Sequence, residues 1–424
     1  MTGTGANTDI SSRLAVAMPQ EMMVFLRNAA EAAAVRGHRL FLVGGAVRDI
    51  LLGRPGFDID LSVEGDAIEL ARALAECPDN VTVHHRFNTA RLKWGGHCID
   101  LARSRQETYP RPGALPVVRP GSIEEDLNRR DFSVNAMAVS LNHNDWGQLI
   151  DRHAGQSDIE RRIIRVLHPA SFVDDATRIW RAVRYEQRLG FVIEAETLQF
   201  LKRDLPMLKT ISPDRQRYEL ECVLAEAEPE KVFHRADTLG LLKTIHPALK
   251  GDKWLETASA RLRELNAKPA PEAYLALLGW RLSKTDKAEF IASLRLTRRQ
   301  CQALSDSNVI NDEIPVLASQ QTAPSTIASR IRGLGADALL AAMAAVDSNL
   351  ARANLAGFTG IWCYITPELT GDDLKLLGVP QGAGIKRLLD ELRNKRLDGI
   401  IASREQEIAF IRRWLDEPGK TAGL

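Results

Sequence analysis

Two aspartates, Asp58 and Asp60, stand two positions apart in a segment where polar and apolar residues alternate. Because side chains two apart on a β-strand point to the same face, both carboxylates should project together, with Ile59 buried behind them. Adjacent carboxylates repel each other unless a cation neutralises them, and two hard oxygen ligands suit Mg²⁺. The pair predicts a magnesium site with catalytic carboxylates. Taken alone, such a pair is more often two surface aspartates at a strand edge.

A glycine turn precedes this pair in the chain. Gly44 and Gly45 lie between a predicted strand, residues 40–43, and a predicted helical turn, residues 46–52. Glycines at such a place let backbone N–H groups approach an anion closely, and the start of a helix adds a favourable dipole. Arg48 can reach the same anion from one turn further on. A Gly-Gly pair is usually an ordinary turn, but in front of the two aspartates it predicts a triphosphate cradle beside a metal pair.

A third polar cluster, RRDFSVNA, occupies residues 129–136. Two arginines are followed by Asp131 and Asn135 within seven residues, and apolar residues stand at 132, 134 and 136. This pattern indicates that polar groups, Arg130 among them, are held on a packed scaffold. Such groups can bind ribose hydroxyls and phosphates through charge-assisted hydrogen bonds. A solvated charge cluster before a core strand is the alternative.

Asp175 and Arg178 are three apart on a predicted helix over residues 174–189, and therefore share a face. Cytosine and adenine both present a ring nitrogen acceptor beside an amino donor, whereas uracil and guanine present a ring N–H beside a keto oxygen. A fixed arginine donor beside a fixed aspartate acceptor matches the first two bases and leaves both partners unpaired with the others. A surface ion pair between the two residues is the alternative reading.

The elements that must position these residues change character along the chain. Strands are predicted near residues 57–63, 80–86, 89–94 and 97–102, with helices over 19–36 and 65–76 and a long Pro/Gly-rich loop over 103–123. Beyond about residue 160 helical periodicity dominates, including a long helix over 336–355 and a break at Pro315. The pattern predicts an α/β head joined to a long helical body.

Composition excludes several classes of protein. Hydrophobic residues at 45% and charged residues at 26% are ordinary for a globular chain and exclude large-scale disorder. No apolar run approaches the roughly 18–20 residues that cross a bilayer, and no secretory signal is expected. Five scattered cysteines argue against a disulfide framework, so we expect a cytoplasmic protein with no membrane partner. The formal net charge of +1 says nothing about nucleic acid, so partners must be inferred from motifs.

Taken together, these motifs resemble a known family. GGAVRD with DID, then RRDFSVNA, then Asp151-x3-Gly155-x2-Asp158, then DDATRIWRAVRYEQRLGF over 174–191 are similar in order and spacing to the motifs of class II tRNA nucleotidyltransferases and bacterial poly(A) polymerases. That family belongs to the polymerase-β-like nucleotidyltransferase superfamily. The resemblance covers about residues 38–225.

The resemblance implies an α+β fold: a small mixed-sheet nucleotidyltransferase head followed by an all-helical neck, body and tail. The implied segments are an N-terminal extension (1–24), the catalytic head (25–160), a neck that recognises the nucleobase (161–226), and a body (227–350) and tail (351–424) that bind tRNA.

The resemblance also implies the activity, namely addition of the 3′-terminal CCA to tRNA from CTP and ATP, with Mg²⁺ and no obligate protein partner. Poly(A) polymerase, CC-adding and A-adding activities share the motifs, and an inactive RNA-binding protein on the same fold is an alternative from another class. The 103–123 stretch resembles the flexible loop that CCA-adding enzymes need and CC-adding enzymes lack.

Further residue roles come only from the resemblance. In the family's E-D-x-x-R pattern the aspartate and arginine serve as a protein template for the base; Asp174 stands here where glutamate is usual, so any role for it is open. Arg181 and Arg184 match arginines that help bind the nucleotide, with a solvated basic stripe as the alternative. Asp100 could be a third carboxylate near the metal, or a salt-bridged strand end.

Overall fold

The computed structural model describes residues 8–54, 56 and 58–416. The chain divides into two compact units, Met1–Glu219 and Leu220–Leu424. In the described residues no helix is both long and apolar enough to span a membrane.

The first unit holds the strands. They are β1 (Arg39–Val43), β2 (Ile59–Glu64), β3 (Val81–His84), β4 (Thr89–Trp94), β5 (His97–Arg103), β6 (Arg105–Thr108), β7 (Val117–Pro120), β8 (Met137–Ser140), β9 (Leu149–Asp151), β10 (Ile163–Ile164) and β11 (Val192–Ile193). Seven of them form one sheet in the order β3-β4-β5-β2-β1-β8-β9, in which β2 and β5 are parallel and the other neighbours antiparallel. The predicted mixed-sheet head is therefore confirmed.

Helices pack against this sheet and continue beyond it. In the first unit they are α1 (Ser11–Ala17), α2 (Gln20–Val35), α3 (Gly45–Leu51), α4 (Ala67–Leu74), α5 (Ile123–Asn128), α6 (Gly155–Arg161), α7 (Ser171–Asp174), α8 (Thr177–Leu189) and α9 (Ala195–Asp204), followed by α10 (Pro213–Leu224). Four consecutive residues of β1 are buried, and Phe41 and Val43 pack with Ile123, Leu127 and Ala138. Burial on both faces fits the unbroken apolar run that predicted this strand.

The described part of the second unit contains helices and no strand. They are α11 (Pro229–Thr238), α12 (Leu242–Ile245), α13 (Lys253–Leu265), α14 (Pro271–Leu278), α15 (Lys284–Leu294), α16 (Arg298–Leu317), α17 (Pro324–Ile331), α18 (Ala336–Ala345), α19 (Asn349–Gly360), α20 (Gly371–Leu376), α21 (Ala383–Leu397) and α22 (Arg404–Asp416). A separate apolar cluster near the end of the chain includes Leu374, Leu388, Leu392 and Ile411. The predicted helical remainder is confirmed.

Some element predictions were wrong. Residues 103–123 contain an antiparallel hairpin of β6 and β7 rather than a continuous loop. The helix predicted over 336–355 is two helices, because Ser348 caps a new one by accepting a hydrogen bond from Ala351 N (3.2 Å). Pro315 lies inside the last turns of α16, where it removes one backbone hydrogen bond without ending the helix.

Two further differences concern short features. The segment 161–226 contains a two-residue parallel ladder of β10 and β11 among its helices. A ladder of two residue pairs is too short to produce a periodic pattern in the sequence. The predicted strand over 57–63 starts at a residue outside the described ones, and the observed strand runs from Ile59 to Glu64.

A buried lysine in the second unit makes stability depend on pH. Lys287 of α15 is 2% exposed, and its Nζ donates hydrogen bonds to Ser307 Oγ (3.2 Å) and Asn308 Oδ1 (2.5 Å). Burial lowers the pKa of Lys287 to about 8, against the attraction of Asp312. Between that value and the ordinary pKa of about 10.5, the unfolded chain binds more protons. The free energy of unfolding should therefore rise with pH across this window.

We expect Lys287→Met to raise the free energy of unfolding by about 2 kcal/mol near neutral pH, because the cost of burying the ammonium disappears. Urea unfolding at neutral pH and near the upper end of the window, on parent and variant, measures this. The parent should gain stability towards the higher pH relative to the variant. Parallel pH profiles for the two proteins would contradict the prediction.

Candidate active site

The two predicted carboxylates lie at the start of β2. Asp60 is the second residue of that strand and is half-buried, whereas Asp58 is exposed just before it and Ile59 between them is buried. Asp58 and Asp60 line one cavity, as their shared face predicts. Because β2 and β5 are parallel and paired in register, Asp60 lies opposite Asp100.

The carboxylates near β2 are not equally neutralised. Arg91 binds Asp100 through two hydrogen bonds, Nε to Oδ1 (2.7 Å) and Nη2 to Oδ2 (2.8 Å). Burial raises the pKa of Asp60 to about 6; Arg130 opposes this, and Asp100 and Asp58 raise it further. Accumulated negative charge and oxygen-only donors are what a divalent cation requires, so Asp58 and Asp60 fit a metal ion. Among the described residues, no group of three His, Cys, Asp or Glu side chains is arranged to hold a metal.

The glycine turn connects β1 to α3 beside the same cavity. Gly44 has φ +71° and ψ −127°, a conformation that side chains with a Cβ rarely adopt. A Cβ added there would stand 2.6 Å from Arg130 Nη1, so the missing side chain also leaves room for that guanidinium. Gly44 and Gly45 line the cavity together with Arg48.

Gly44→Ala should therefore weaken triphosphate binding, by about tenfold or more, since it strains the turn and displaces Arg130. Gly53→Ala is the matched control, because Gly53 also has a positive φ (+65°) but no neighbouring atom within 4 Å of an added Cβ. Calorimetric titration with CTP measures the difference. Equal losses in the two variants would mean that backbone strain alone is responsible.

One hydrogen-bond network joins the predicted nucleotide-binding residues. Arg48 Nη1 donates to Asn135 Oδ1 (2.6 Å), and Asn135 Nδ2 donates to Asp131 Oδ1 (3.1 Å). Arg181 donates to Asp131 Oδ2 from Nε (2.8 Å) and Nη2 (2.6 Å), while Arg48 also binds Asp49. The network links α3 to α8 and fixes these side chains relative to one another.

The ring of Tyr185 lies at the centre of a cluster of arginines. The sequence analysis named these arginines but not Tyr185. The guanidinium carbons of Arg48, Arg181 and Arg184 lie 5.4, 5.5 and 5.2 Å from the centroid of its ring. Arg48, Arg181 and Tyr185 line the cavity, whereas Arg184 is buried beside them and is not among the described residues that line it. The ring thus holds cations in place beside the predicted phosphate cradle.

The predicted base-reading pair is not carried by one helix, so that element of the prediction was wrong. Asp175 is extended (φ −139°, ψ 100°) between α7 and α8, and its Oδ1 accepts hydrogen bonds from Thr177 N (3.0 Å) and Arg215 Nη2 (2.7 Å). An aspartate that accepts from the backbone N–H two residues on starts a helix rather than continuing one. Asp175 and Arg178 nevertheless line the same cavity.

Arg178 is 4% exposed and firmly held. Its Nη1 donates to Ser171 Oγ (2.7 Å) and its Nη2 to the carbonyl of Arg129 (2.7 Å), so both hydrogen bonds fix the plane of the guanidinium. Asp174, the residue whose role the sequence left open, ends α7 with its carboxylate 3.7 Å from His168 Nε2. Asp174 is not among the described residues that line the cavity.

The cavity that these residues share has a volume of about 620 Å³. Every predicted site residue of the first unit except Asp100 and Arg184 lines it. Its lining also includes residues that the sequence analysis missed: Ala46, Asp49, Gly56, Phe87, Arg105, Glu107, Tyr109, Leu115, Pro116, Arg129, Thr177, Tyr185, Arg188 and Glu219. The alternation of Arg105, Glu107 and Tyr109 is a signal that could have found three of them, had the hairpin been predicted.

Two family models match the chain. The one described as "Poly A polymerase head domain" matches residues 40–165, and the one described as "Probable RNA and SrmB- binding site of polymerase A" matches residues 190–252. The first match contains Asp58, Asp60 and the 129–136 cluster.

Curated relatives match over most of the chain. An A-adding tRNA nucleotidyltransferase of Geobacter sulfurreducens is 34% identical over 94% of this chain, which spans 48% of that relative's length. A CC-adding tRNA nucleotidyltransferase of Deinococcus radiodurans is 31% identical, with 89% of each chain covered. The chain thus spans about half the length of the former and most of the latter.

Solved structures agree in fold. The structure of a Thermotoga maritima CCA-adding enzyme complexed with tRNA matches with a TM-score of 0.76 and 28% identity, covering 96% of this chain and 99% of that one.

Proposed function

The chain belongs to the class II tRNA nucleotidyltransferase family, and on that premise we propose that it adds the 3′-terminal CCA to tRNA from CTP and ATP. The observation that supports this best is the cavity of the first unit, where Asp58 and Asp60 meet the glycine turn and the pair Asp175 and Arg178. Carboxylates, an anion cradle and a base-reading pair are the three parts that template-free nucleotide addition requires.

Nucleotidyltransferases of this family generally use a divalent metal ion. We assign Mg²⁺ to Asp58 and Asp60, whose clustered oxygen donors fit it. Asp100 is kept only as a candidate third ligand, because Arg91 already binds its carboxylate. Bound there, the metal would lower the pKa of the attacking hydroxyl and neutralise charge on the leaving oxygens.

The chain's own groups orient the triphosphate. Gly44 and Gly45 would let the backbone approach the phosphates, and Arg48 and Arg130 line the same cavity as cations. The RNA 3′-oxygen attacks the α-phosphorus in line; an O–P bond forms as the bond to the β-phosphate oxygen breaks, the hydroxyl proton passes to water and pyrophosphate leaves. Positioning and charge stabilisation, with no covalent enzyme intermediate, account for the acceleration.

We assign recognition of the nucleotide's base to Asp175 and Arg178. The guanidinium of Arg178 is fixed by Ser171 and by the carbonyl of Arg129, so it cannot rotate to suit a different base. Held in this way, a donor beside an acceptor fits the Watson–Crick edges of cytosine and adenine and leaves uracil and guanine unpaired.

The remaining segments would hold the RNA. We assign the body (227–350) and tail (351–424) to tRNA binding and the neck (161–226) to nucleobase recognition. A family model described as an RNA-binding site matches residues 190–252, and this match includes the beginning of the body. It supports the assignment of the body to RNA binding. Recognition of an acceptor stem by shape and backbone charge, without sequence readout, is what double-helical RNA permits.

A-addition alone is a second candidate, because the Geobacter relative that aligns with 94% of this chain is an A-adding enzyme. The two activities differ in the RNA end and nucleotide that they accept. One purified protein can therefore be tested for both.

The test supplies tRNAs that end before the first C, after CC and after CCA, with CTP and ATP given separately, and sizes the products. CCA addition predicts that CTP extends the first RNA by two residues, ATP extends the second by one, and the third is not extended. Extension of only the CC-ending RNA, by ATP, identifies the A-adding enzyme. A run of A residues on the finished tRNA would replace both with a poly(A) polymerase.

A further inference from the structure

The hairpin of β6 and β7 directs alternate side chains into the cavity. Arg105, Glu107 and Tyr109 line it, whereas Gln106 and Thr108 between them are exposed. This is the period of a β-strand with one face covered. Tyr109 directly follows β6 and adds an aromatic ring to a lining otherwise rich in charged groups.

The Tyr109 ring is anchored through its hydroxyl. Tyr109 Oη donates a hydrogen bond to Glu107 Oε2 (2.9 Å), and Glu107 Oε1 forms ion pairs with Arg105 (2.9 Å) and Arg129 (3.1 Å). The carbonyl of Arg129 in turn accepts a hydrogen bond from Arg178 Nη2 (2.7 Å). Arg129 therefore connects the two groups: it binds Glu107, which holds Tyr109, and its carbonyl binds Arg178.

Tyr109 lines the same cavity as Asp175 and Arg178, and the charges of both residues act on its hydroxyl. Burial raises the pKa of the Tyr109 hydroxyl, Glu107 raises it further, and Arg178 lowers and Asp175 raises it by direct electrostatic interaction. The hydroxyl thus stays protonated over the whole physiological range and remains bound to Glu107. What Tyr109 offers to a ligand is the face of its ring.

We propose that the base of the incoming nucleotide stacks on the Tyr109 ring while Asp175 and Arg178 read its edge. The proposal rests on the proposed function and names a positioning residue for it. A site that must accept both a pyrimidine and a purine needs a contact that is indifferent to base identity, and stacking provides one because every base has a π-face. Edge recognition then supplies the selectivity that stacking lacks.

Equilibrium binding without RNA tests the proposal. Calorimetric titrations with CTP, ATP and inorganic tripolyphosphate are compared for the parent, Tyr109→Leu and Tyr109→Phe. We expect Tyr109→Leu to weaken CTP binding by about tenfold or more, and ATP binding by more than that because of the larger base, with tripolyphosphate unaffected. Tyr109→Phe keeps the ring and should stay within about threefold of the parent for all three ligands.

A control and two outcomes complete the test. Tyr218→Leu makes the same change at an exposed tyrosine outside the cavity lining and should bind all three ligands as the parent does. Unchanged CTP and ATP binding in Tyr109→Leu, or an equal loss for tripolyphosphate, would overturn the proposal, the latter because it would mean a disturbed hairpin. The parent's RNA extension is measured separately, so a failure of the proposed function is recognised on its own.

Discussion

Replacing Asp58 and Asp60 together by asparagine should reduce nucleotide incorporation into RNA by at least about a thousandfold, because the metal ion then loses its charged oxygen ligands. The fold should survive, since no described residue forms a hydrogen bond or ion pair with either carboxylate and Asp60 lies beside the like charge of Asp100. Single-turnover extension of a CC-ending tRNA with ATP measures the rate, and urea unfolding measures stability.

Asp79→Asn serves as the matched control, because Asp79 is an exposed aspartate of the same unit outside the cavity lining. It should extend RNA at the parent's rate. The double variant should still bind tRNA, which separates loss of chemistry from loss of the substrate. Unchanged incorporation by the double variant would defeat the metal assignment and favour an inactive RNA-binding protein.

Arg178→Ala should lower the preference for CTP over UTP by at least about a hundredfold, because the fixed donor that matches cytosine and clashes with uracil is lost. The loss should fall on CTP and ATP while UTP incorporation stays equal or rises. Values of kcat/KM for all four nucleotides are measured on each RNA end, and the ratio is taken between CTP and UTP on the same end. An Arg178→Ala enzyme that keeps the parent's preference would contradict the template argument.

Two further variants separate the reading of the base from general damage. Ser171→Ala removes the hydrogen bond to Arg178 Nη1 and leaves the guanidinium, so it should lower the preference by less than Arg178→Ala does. Arg161→Ala removes an exposed arginine of α6 outside the cavity lining and should leave the preference unchanged. A preference that falls equally in all three variants would indicate unfolding.

Local patterns were sufficient where the chemistry lies within a few residues. The alternation around Ile59 placed Asp58 and Asp60 on one face, and the glycine pair with Arg48 marked the turn beside them. Both features depend only on neighbouring backbone geometry, the period of a strand and the conformational freedom of glycine. The mixed-sheet head and helical remainder followed from hydrophobic periodicity for the same reason.

Patterns were insufficient where the role of a side chain depends on its hydrogen-bond partners. The Asp175–Arg178 spacing suggested one helical face, yet Asp175 accepts from Thr177 and Arg215 and so precedes the helix. For Asp100 the sequence left two interpretations open, and the hydrogen bonds from Arg91 of the neighbouring strand match the salt-bridged one. The spacing of the charged residues alone does not determine which partner each aspartate takes.

The sequence by itself determined which residue types are candidates for the chemistry, the strand and turn that present Asp58, Asp60 and Gly44, and the order of a mixed sheet followed by helices. Only the tertiary structure decided that Tyr109 and Tyr185 enter the same cavity and that one hydrogen-bond network runs from Arg48 to Arg181. The reason is physical: periodicity records which face of an element is covered, whereas the identity of the group that covers it depends on contacts between segments distant in the chain.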